Sequence, residues 1–244
     1  MKEKEVKKIV KKSYSKIAQK CNCSCCGQQS QEDIARSIGY TEEEVSLAGD
    51  ANLGLGCGNP VSLSNIKEGD VVLDLGSGAG FDAFLAANKV GNSGKVFGID
   101  FTIEMIKKSR ELAKRYNYKN VEFRKGDIEK LPFDNEFFDI IISNCVINLA
   151  PNKFNVFKEA FRVLKKNGRM FISDIVLLEQ LSEEQKNNEE LIAGCVGGAL
   201  LKEEYLNIIL NAGFNYKIID EDKEISSRQY NGINLESLKI ELYK

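Results

Sequence analysis

Three cysteines of this chain stand alone among small or polar residues: Cys57 in "GLGCGNP", Cys145 in "SNCVINLAP" and Cys195 in "AGCVGGAL". A cysteine that serves only as a small hydrophobe belongs in an apolar helix or strand. These three sit in segments that read as turns, 88 and then 50 residues apart, so each thiol is a candidate for chemistry. Thiolates select soft metals and metalloids. Three of them together would hold a trivalent, thiophilic atom such as arsenic(III) in a pyramid, with its lone pair on the open face. That lone pair can attack a sulfonium methyl directly, with no base to remove a proton. Catalysis then becomes chiefly positioning, nucleophile and methyl carbon about 3–3.5 Å apart. Taken singly, each cysteine reads more readily as a buried hydrophobe; the case depends on all three converging.

The rest of the composition narrows the chemistry. The 244 residues include seven cysteines and no histidine, which removes the usual general base, the Cys-His pair and the commonest zinc ligand. An odd cysteine count in a chain expected to be cytoplasmic favours working thiols over a disulfide framework. A net charge of -2 argues against a nucleic-acid partner and points to a small-molecule substrate. The opening "MKEKEVKKIVKKSYSK" lacks an apolar core and is not a signal peptide. The stretch "FFDIIISNCVINLA" is too short and too polar to cross a bilayer, so no membrane partner is expected. The remaining thiols, Cys21, Cys23, Cys25 and Cys26, crowd into "CNCSCC", a spacing that does not easily close a zinc tetrahedron.

A second constellation is glycine-rich. The apolar run "VVLDLG" at 71–76 leads into "GSGAG", with glycines at 76, 78 and 80, where backbone amides can approach a ligand closely. The third glycine falls one place too early for the dinucleotide fingerprint G-x-G-x-x-G. Asp74, in the leading strand, would add negative charge beside a pyrophosphate. It suits instead a cofactor with a cationic amino-acid end, and S-adenosylmethionine carries a sulfonium and an ammonium. Asp100, 20 residues beyond Gly80, can accept both ribose hydroxyls. Asp127, in "KGDIEKLPF", is placed to meet an adenine amino group, with Ile128 and Ile103 or Met105 as apolar covers.

These residues must be positioned by regular elements. Apolar spacing predicts an amphipathic helix over 3–20 and another from about 31. Strands are expected at 71–76, 95–100, 120–127, 137–144 and 169–176, with helices over 81–90, 102–116 and 153–166, the last closed by Asn167-Gly168 as a C-cap. Alternating strands and helices give parallel strands with right-handed crossovers, the doubly wound α/β plan. Beyond 176 the pattern is mostly helical and ends in two candidate strands, 215–221 and 237–244. The segments divide as 1–50, helical with the cysteine cluster; 51–176, the Rossmann-like cofactor domain; and 177–244, an α+β extension contributing Cys195.

The glycine loop with acidic residues at successive strand ends resembles the class I S-adenosylmethionine-dependent methyltransferases over about 70–175. With "ANLGLGCGNP", "VLDLGSGAGFDAFLAA", "ISNCVINLAP" and "AGCVGGAL" in that order, the chain more specifically resembles the arsenite methyltransferases over nearly its whole length. That resemblance implies that Cys57, Cys145 and Cys195 bind trivalent arsenic, presented as arsenite or its thiol conjugate. It implies cofactor contacts from Gly76, Ser77, Gly78, Asp100, Met105, Asp127, Ile128 and Asn144. It also implies a thiol reductant of thioredoxin or glutathione type, thioredoxin being a possible partner, and a resolving or capture role for the N-terminal thiols. Rival readings are a methyltransferase of a quinone precursor, which "GDIEKLPF" and "FDIIIS" also resemble, a non-enzymatic metalloid-binding protein, and a dehydrogenase.

Overall fold

The structure, a computed structural model, describes residues 2–19 and 30–244; the cluster Cys21, Cys23, Cys25 and Cys26 lies outside the described residues. Helix α1 (Glu3–Gln19) is followed by α2 (Gln31–Ser37), α3 (Glu42–Ala48) and α4 (Pro60–Leu63). The alternating region then runs β1 (Val71–Leu75), α5 (Phe81–Val90), β2 (Lys95–Asp100), α6 (Ile103–Arg115), β3 (Val121–Lys125), β4 (Phe138–Asn144), α7 (Lys153–Val163) and β5 (Leu164–Leu177). Short helices α8 (Glu183–Lys186) and α9 (Glu189–Ala193), helix α10 (Lys202–Asn211), strand β6 (Asn215–Asp222), α11 (Ile225–Gln229) and β7 (Leu235–Tyr243) complete it.

Seven strands form one sheet in the order β3-β2-β1-β4-β5-β7-β6. Strands β1 to β5 pair in parallel, and β7 runs antiparallel to both β5 and β6. The doubly wound plan read from the sequence is thus the one adopted, with the C-terminal pair of strands extending the same sheet. Because the chain builds outward from β1 in one direction and from β4 in the other, the strand order reverses between them. A crevice opens there at the carboxyl ends of the strands.

The central strands β1, β2, β4 and β5 are buried on both faces over most of their length, which is why they are rich in Val, Ile, Leu and Phe, whereas edge strand β6 is largely exposed. Successive residues point to opposite sides. Val72, Val96, Ile142 and Phe171 join one apolar layer with Phe84 and Leu85 of α5, whereas Leu73, Phe97, Ile141 and Ile172 join the other with Val156 and Phe157 of α7. Ala35, Ile38 and Val45 from the N-terminal helices, and Ile225 and Leu235 from the C-terminal segment, enter the α5 layer. Helix α1 lies against α6 and α9. Among the described residues no helix is long and apolar enough to cross a membrane.

Two boundaries differ from the sequence reading. Helix α7 stops at Val163, where Leu164 turns extended (φ -76, ψ 135) and opens β5 without a loop. Asn167 and Gly168 are therefore strand residues, not a C-cap, and lie where the β4–β5 register shifts. A Cβ on Gly168 would come within 2.8 Å of the Asp139 carbonyl oxygen, so that glycine serves a close backbone approach. Strand β3 ends at Lys125, which leaves Asp127 in the loop beyond it. Helix α11, between the two last strands, has no counterpart in the sequence reading.

Phe84 anchors α5 to the sheet, stacked on Tyr118 at 4.6 Å between centroids and edge-on to Phe123 at 5.7 Å. Phe84→Ala is expected to cost about 3–5 kcal/mol by opening a cavity in that layer. Urea denaturation checks it: the midpoint falls while the m-value is unchanged, and an unmoved midpoint contradicts the packing role.

Candidate functional site

Strand β1 ends at Leu75, and the chain reverses through Gly76, Ser77 and Gly78 before α5 begins at Phe81. Gly76 has φ +66, and a Cβ there would meet Val146 at 2.3 Å, so only glycine lets the loop after β1 pass the loop after β4. Above this turn lies a cavity of about 400 Å³. Asp74, Gly76, Ser77, Gly78, Asp100, Asp127, Ile128 and Asn144 all line it. Met105, also expected at a cofactor, does not. It belongs to the buried face of α6 together with Ile106, Ser109 and Leu112, because the helix phase turns position 105 into the core. Phe101, next to Asp100, takes a place in the lining instead.

The acidic residues are held in different ways. Asp74 is buried and its Oδ2 has no hydrogen-bond partner. Burial, with Asp82 and Asp100 close by, pushes its carboxyl well above the ordinary range. A buried acceptor beside other carboxylates is a seat for a cation. Asp100 Oδ1 accepts from the Thr102 amide at 2.7 Å and Oδ2 from the Gly78 amide at 3.1 Å, with lone pairs left for further donors. Asp127 is ion-paired to Lys7 of α1 at 2.6 Å, and Lys7 also reaches Glu129 at 2.6 Å.

Asn144 closes β4 and joins the cavity to the thiols. Its Oδ1 accepts from the Cys57 amide at 3.0 Å, and its Nδ2 lies 2.8 Å from the Gly58 carbonyl, 2.9 Å from the Tyr40 hydroxyl and 3.1 Å from Asp82 Oδ2. Tyr40 in turn donates to Asp82 Oδ1 at 2.6 Å. This accounts for a cysteine among glycines: Gly56 has φ +113, and a Cβ there would sit 2.9 Å from Asn144 Nδ2. The loop must lie flat on the amide to deliver Cys57.

All three thiols are buried, at 0, 7 and 3 % exposure for Cys57, Cys145 and Cys195. Cys145 and Cys195 have φ of 56 and 67, a left-handed backbone uncommon for residues other than glycine and a recurrent mark of functional turns. Cys57 Sγ, Cys145 Sγ and a carboxylate oxygen of Asp174 lie within 4.8 Å of one another. Cys195 Sγ donates to the Cys145 carbonyl at 2.6 Å. Hydrogen bonds from Cys195, then from Cys57 and Tyr230, pull the Cys145 thiol well below its ordinary value. Burial first, then Cys145, pushes Cys57 up, whereas Cys195 is raised by Cys145 first and by burial second. Of the three, Cys145 is the thiol most readily ionised.

The structure brings Cys145 and Cys195 to the cavity wall and Cys57 beside them, behind Asn144. It also supplies residues that sequence reasoning missed. Tyr230 Oη is 3.9 Å from Cys145 Sγ, and Tyr14 Oη is 4.0 Å from Cys195 Sγ. Tyr14 lies one turn beyond Val10 on α1, and that spacing could have marked it; nothing in the sequence links Tyr40 to Asp82 or Tyr230 to Cys145.

Comparison with known proteins places this geometry. Residues 66–213 match the family described as methyltransferase domain, and the chain belongs to that family. It is 41 % identical over 224 residues to the arsenite methyltransferase of Halobacterium salinarum and 34 % identical over 229 residues to that of Homo sapiens, covering 86 and 88 % of this chain. An arsenic(III) S-adenosylmethionine methyltransferase from Chlamydomonas reinhardtii superposes with a TM-score of 0.67 at 30 % identity, covering 86 % of this chain and 73 % of that one. Within the methyltransferases the chain is therefore a member of the arsenite methyltransferase family. It spans 57 and 59 % of the two curated relatives named.

Asn144→Ala removes the clamp on the Cys57 loop and should cost about 1–3 kcal/mol. It should also speed reaction of Cys57 with a disulfide reagent, read by mass mapping; an unchanged rate contradicts the clamp. Asp82 gives a pH test, its carboxyl raised by burial from 3.8 to about 6. Ionised Asp82 penalises the native state, so the penalty is absent below pH 3.8 and full above about 6. Across that window this group lowers stability as pH rises, by at most ~3 kcal/mol. Asp82→Asn should flatten that part of the stability profile in chemical denaturation.

Proposed function

We propose that this chain transfers a methyl group from S-adenosylmethionine to arsenic(III) held by Cys57, Cys145 and Cys195. The observation that carries this reading is the meeting of three buried thiols from separate loops beside a cavity lined by the glycine turn and its carboxylates. Family membership and the names of its relatives support it.

S-adenosylmethionine would supply an electrophilic methyl on a sulfonium. On the protein side, the unpartnered Asp74 oxygen suits a cationic amino-acid end, Asp100 suits ribose hydroxyls, and Asp127 with Ile128 suits an adenine. Arsenite loading exchanges three hydroxides for three sulfurs, and the three thiol protons leave with them as water. The Cys145 thiol, drawn lowest by its neighbours, supplies the first nucleophile, and its proton and those of Cys57 and Cys195 each leave on one departing hydroxide. Arsenic then spends its lone pair on the new bond to carbon and is oxidised by two electrons. Two thiols must be oxidised to return it to the trivalent state. The N-terminal cysteines and a reductant of thioredoxin or glutathione type fill that need, in a cytoplasmic setting that keeps thiols reduced. Residues 1–50 and 177–244 act as parts of the site: α1 brings Tyr14, and the extension brings Cys195 and Tyr230.

Incubation with S-adenosylmethionine, arsenite and excess thiol should yield methylated arsenic, separated by chromatography with mass detection. Cys145→Ser should lower the yield by about 10²-fold or more, a loss equivalent to ~3 kcal/mol, while cofactor affinity by calorimetry is retained. Cofactor binding without methylated product sinks the arsenite reading and favours a small organic acceptor.

A further inference from the structure

The tightest group of ligand atoms beside the cavity includes an oxygen as well as sulfurs. Cys57 Sγ, Cys145 Sγ and an Asp174 carboxylate oxygen form the close triple, all within 4.8 Å, while Cys195 Sγ is turned onto the Cys145 carbonyl at 2.6 Å. A trivalent arsenic needs three sulfurs and leaves a lone pair where a fourth ligand would stand. A carboxylate oxygen in that triple suits a different guest. Divalent zinc-class ions take four ligands in a tetrahedron and accept cysteine sulfur and carboxylate oxygen together, at about 2.3 and 2.0–2.2 Å.

Asp174 is also built as a ligand would be. It is buried on β5, its Oδ1 fixed by the Asn148 amide and the Ile175 amide, each at 3.0 Å, and its Oδ2 accepts one bond, from the Tyr205 hydroxyl at 3.0 Å. Outer partners of this kind orient metal-binding carboxylates, and Oδ2 keeps a lone pair to give. Lys153, also buried, bonds only a backbone carbonyl, Ala150 O at 3.3 Å, and is electrostatically coupled to Asp174 and Cys195. It offsets part of the negative charge that three thiolates and a carboxylate would bring.

We propose that Cys57, Cys145, Asp174 and Cys195 form a tetrahedral site for a soft divalent cation of the zinc and cadmium class, sharing its sulfurs with the arsenic site. Each thiol that ligates passes its proton to solvent; no electrons move. Cys195 completes the site by leaving the Cys145 carbonyl. Occupation removes all three sulfurs from trivalent arsenic, so cation and metalloid exclude each other. The proposal depends on the arsenic reading only for that competition; cation binding stands without it.

The test uses the full-length chain with Cys21, Cys23, Cys25 and Cys26 changed to serine, so that the N-terminal thiols contribute no signal. Titration with cadmium alone, read by ultraviolet thiolate-to-cadmium charge transfer, should saturate at one equivalent. Asp174→Asn should weaken cadmium binding at least about tenfold while arsenite binding, read by equilibrium dialysis, is retained. Cadmium NMR of the loaded, Asp174-containing chain should report three sulfurs and one oxygen, a readout that holds even if Asp174→Asn does not fold. No stoichiometric cadmium signal, an all-sulfur resonance, or an unweakened Asp174→Asn overturns the site. Arsenite and cadmium bound together overturn the competition alone, and failed methylation touches neither.

Discussion

One amide side chain ties the parts of this molecule together. Asn144 ends β4, and every polar atom it has is engaged: by the Cys57 amide, the Gly58 carbonyl, Tyr40 and Asp82. Through those contacts the loop of Cys57, the first helix of the cofactor crevice and the N-terminal helical layer are fixed to the end of one central strand. The next residue, Cys145, takes a left-handed turn that carries its thiol to Cys57 and Cys195. A reagent that must meet a cofactor's methyl in line gains its rate from such placement. Here the placement of Cys57 beside Cys145 is set by hydrogen bonds to the residue that precedes Cys145.

Charge is arranged around that junction so that binding relieves it. Asp74, Asp82 and Asp100 are buried close together with few donors, and burial pushes all three upward. Without a cation nearby they oppose one another; a sulfonium and ammonium in the crevice would offset that repulsion. Among the thiols, Cys195, Cys57 and Tyr230 draw the Cys145 thiol downward.

The long arm of α1 adds a further coupling. Lys7 holds Asp127 at one end of the crevice and Tyr14 faces Cys195 at the thiol end, so a single helix touches both halves. In the sequence this helix showed only its lysines and its apolar spacing. Its place over the crevice depends on packing against α6 and α9, elements more than 80 residues away.

The linear sequence carried the alternation of buried strands and amphipathic helices, and with it the doubly wound sheet. It carried the glycine turn and the acidic positions at strand ends, because those signals are local: periodicity, turn residues and charge within a few positions. It also singled out Cys57, Cys145 and Cys195 by their small and polar neighbours. Boundaries set by tertiary contact were not legible. Gly168 serves an approach to Asp139 rather than a cap, and Met105 faces the core because helix phase and sheet packing decide it. Nor could spacing reveal Asn144 as the clamp on Cys57, Tyr230 as partner of Cys145, or Asp174 beside the thiols. Those pairs are 85, 87 or more residues apart in several cases, and only the sheet's strand order, which lays β4 next to β5 and opens the crevice between β1 and β4, decides which distant side chains meet.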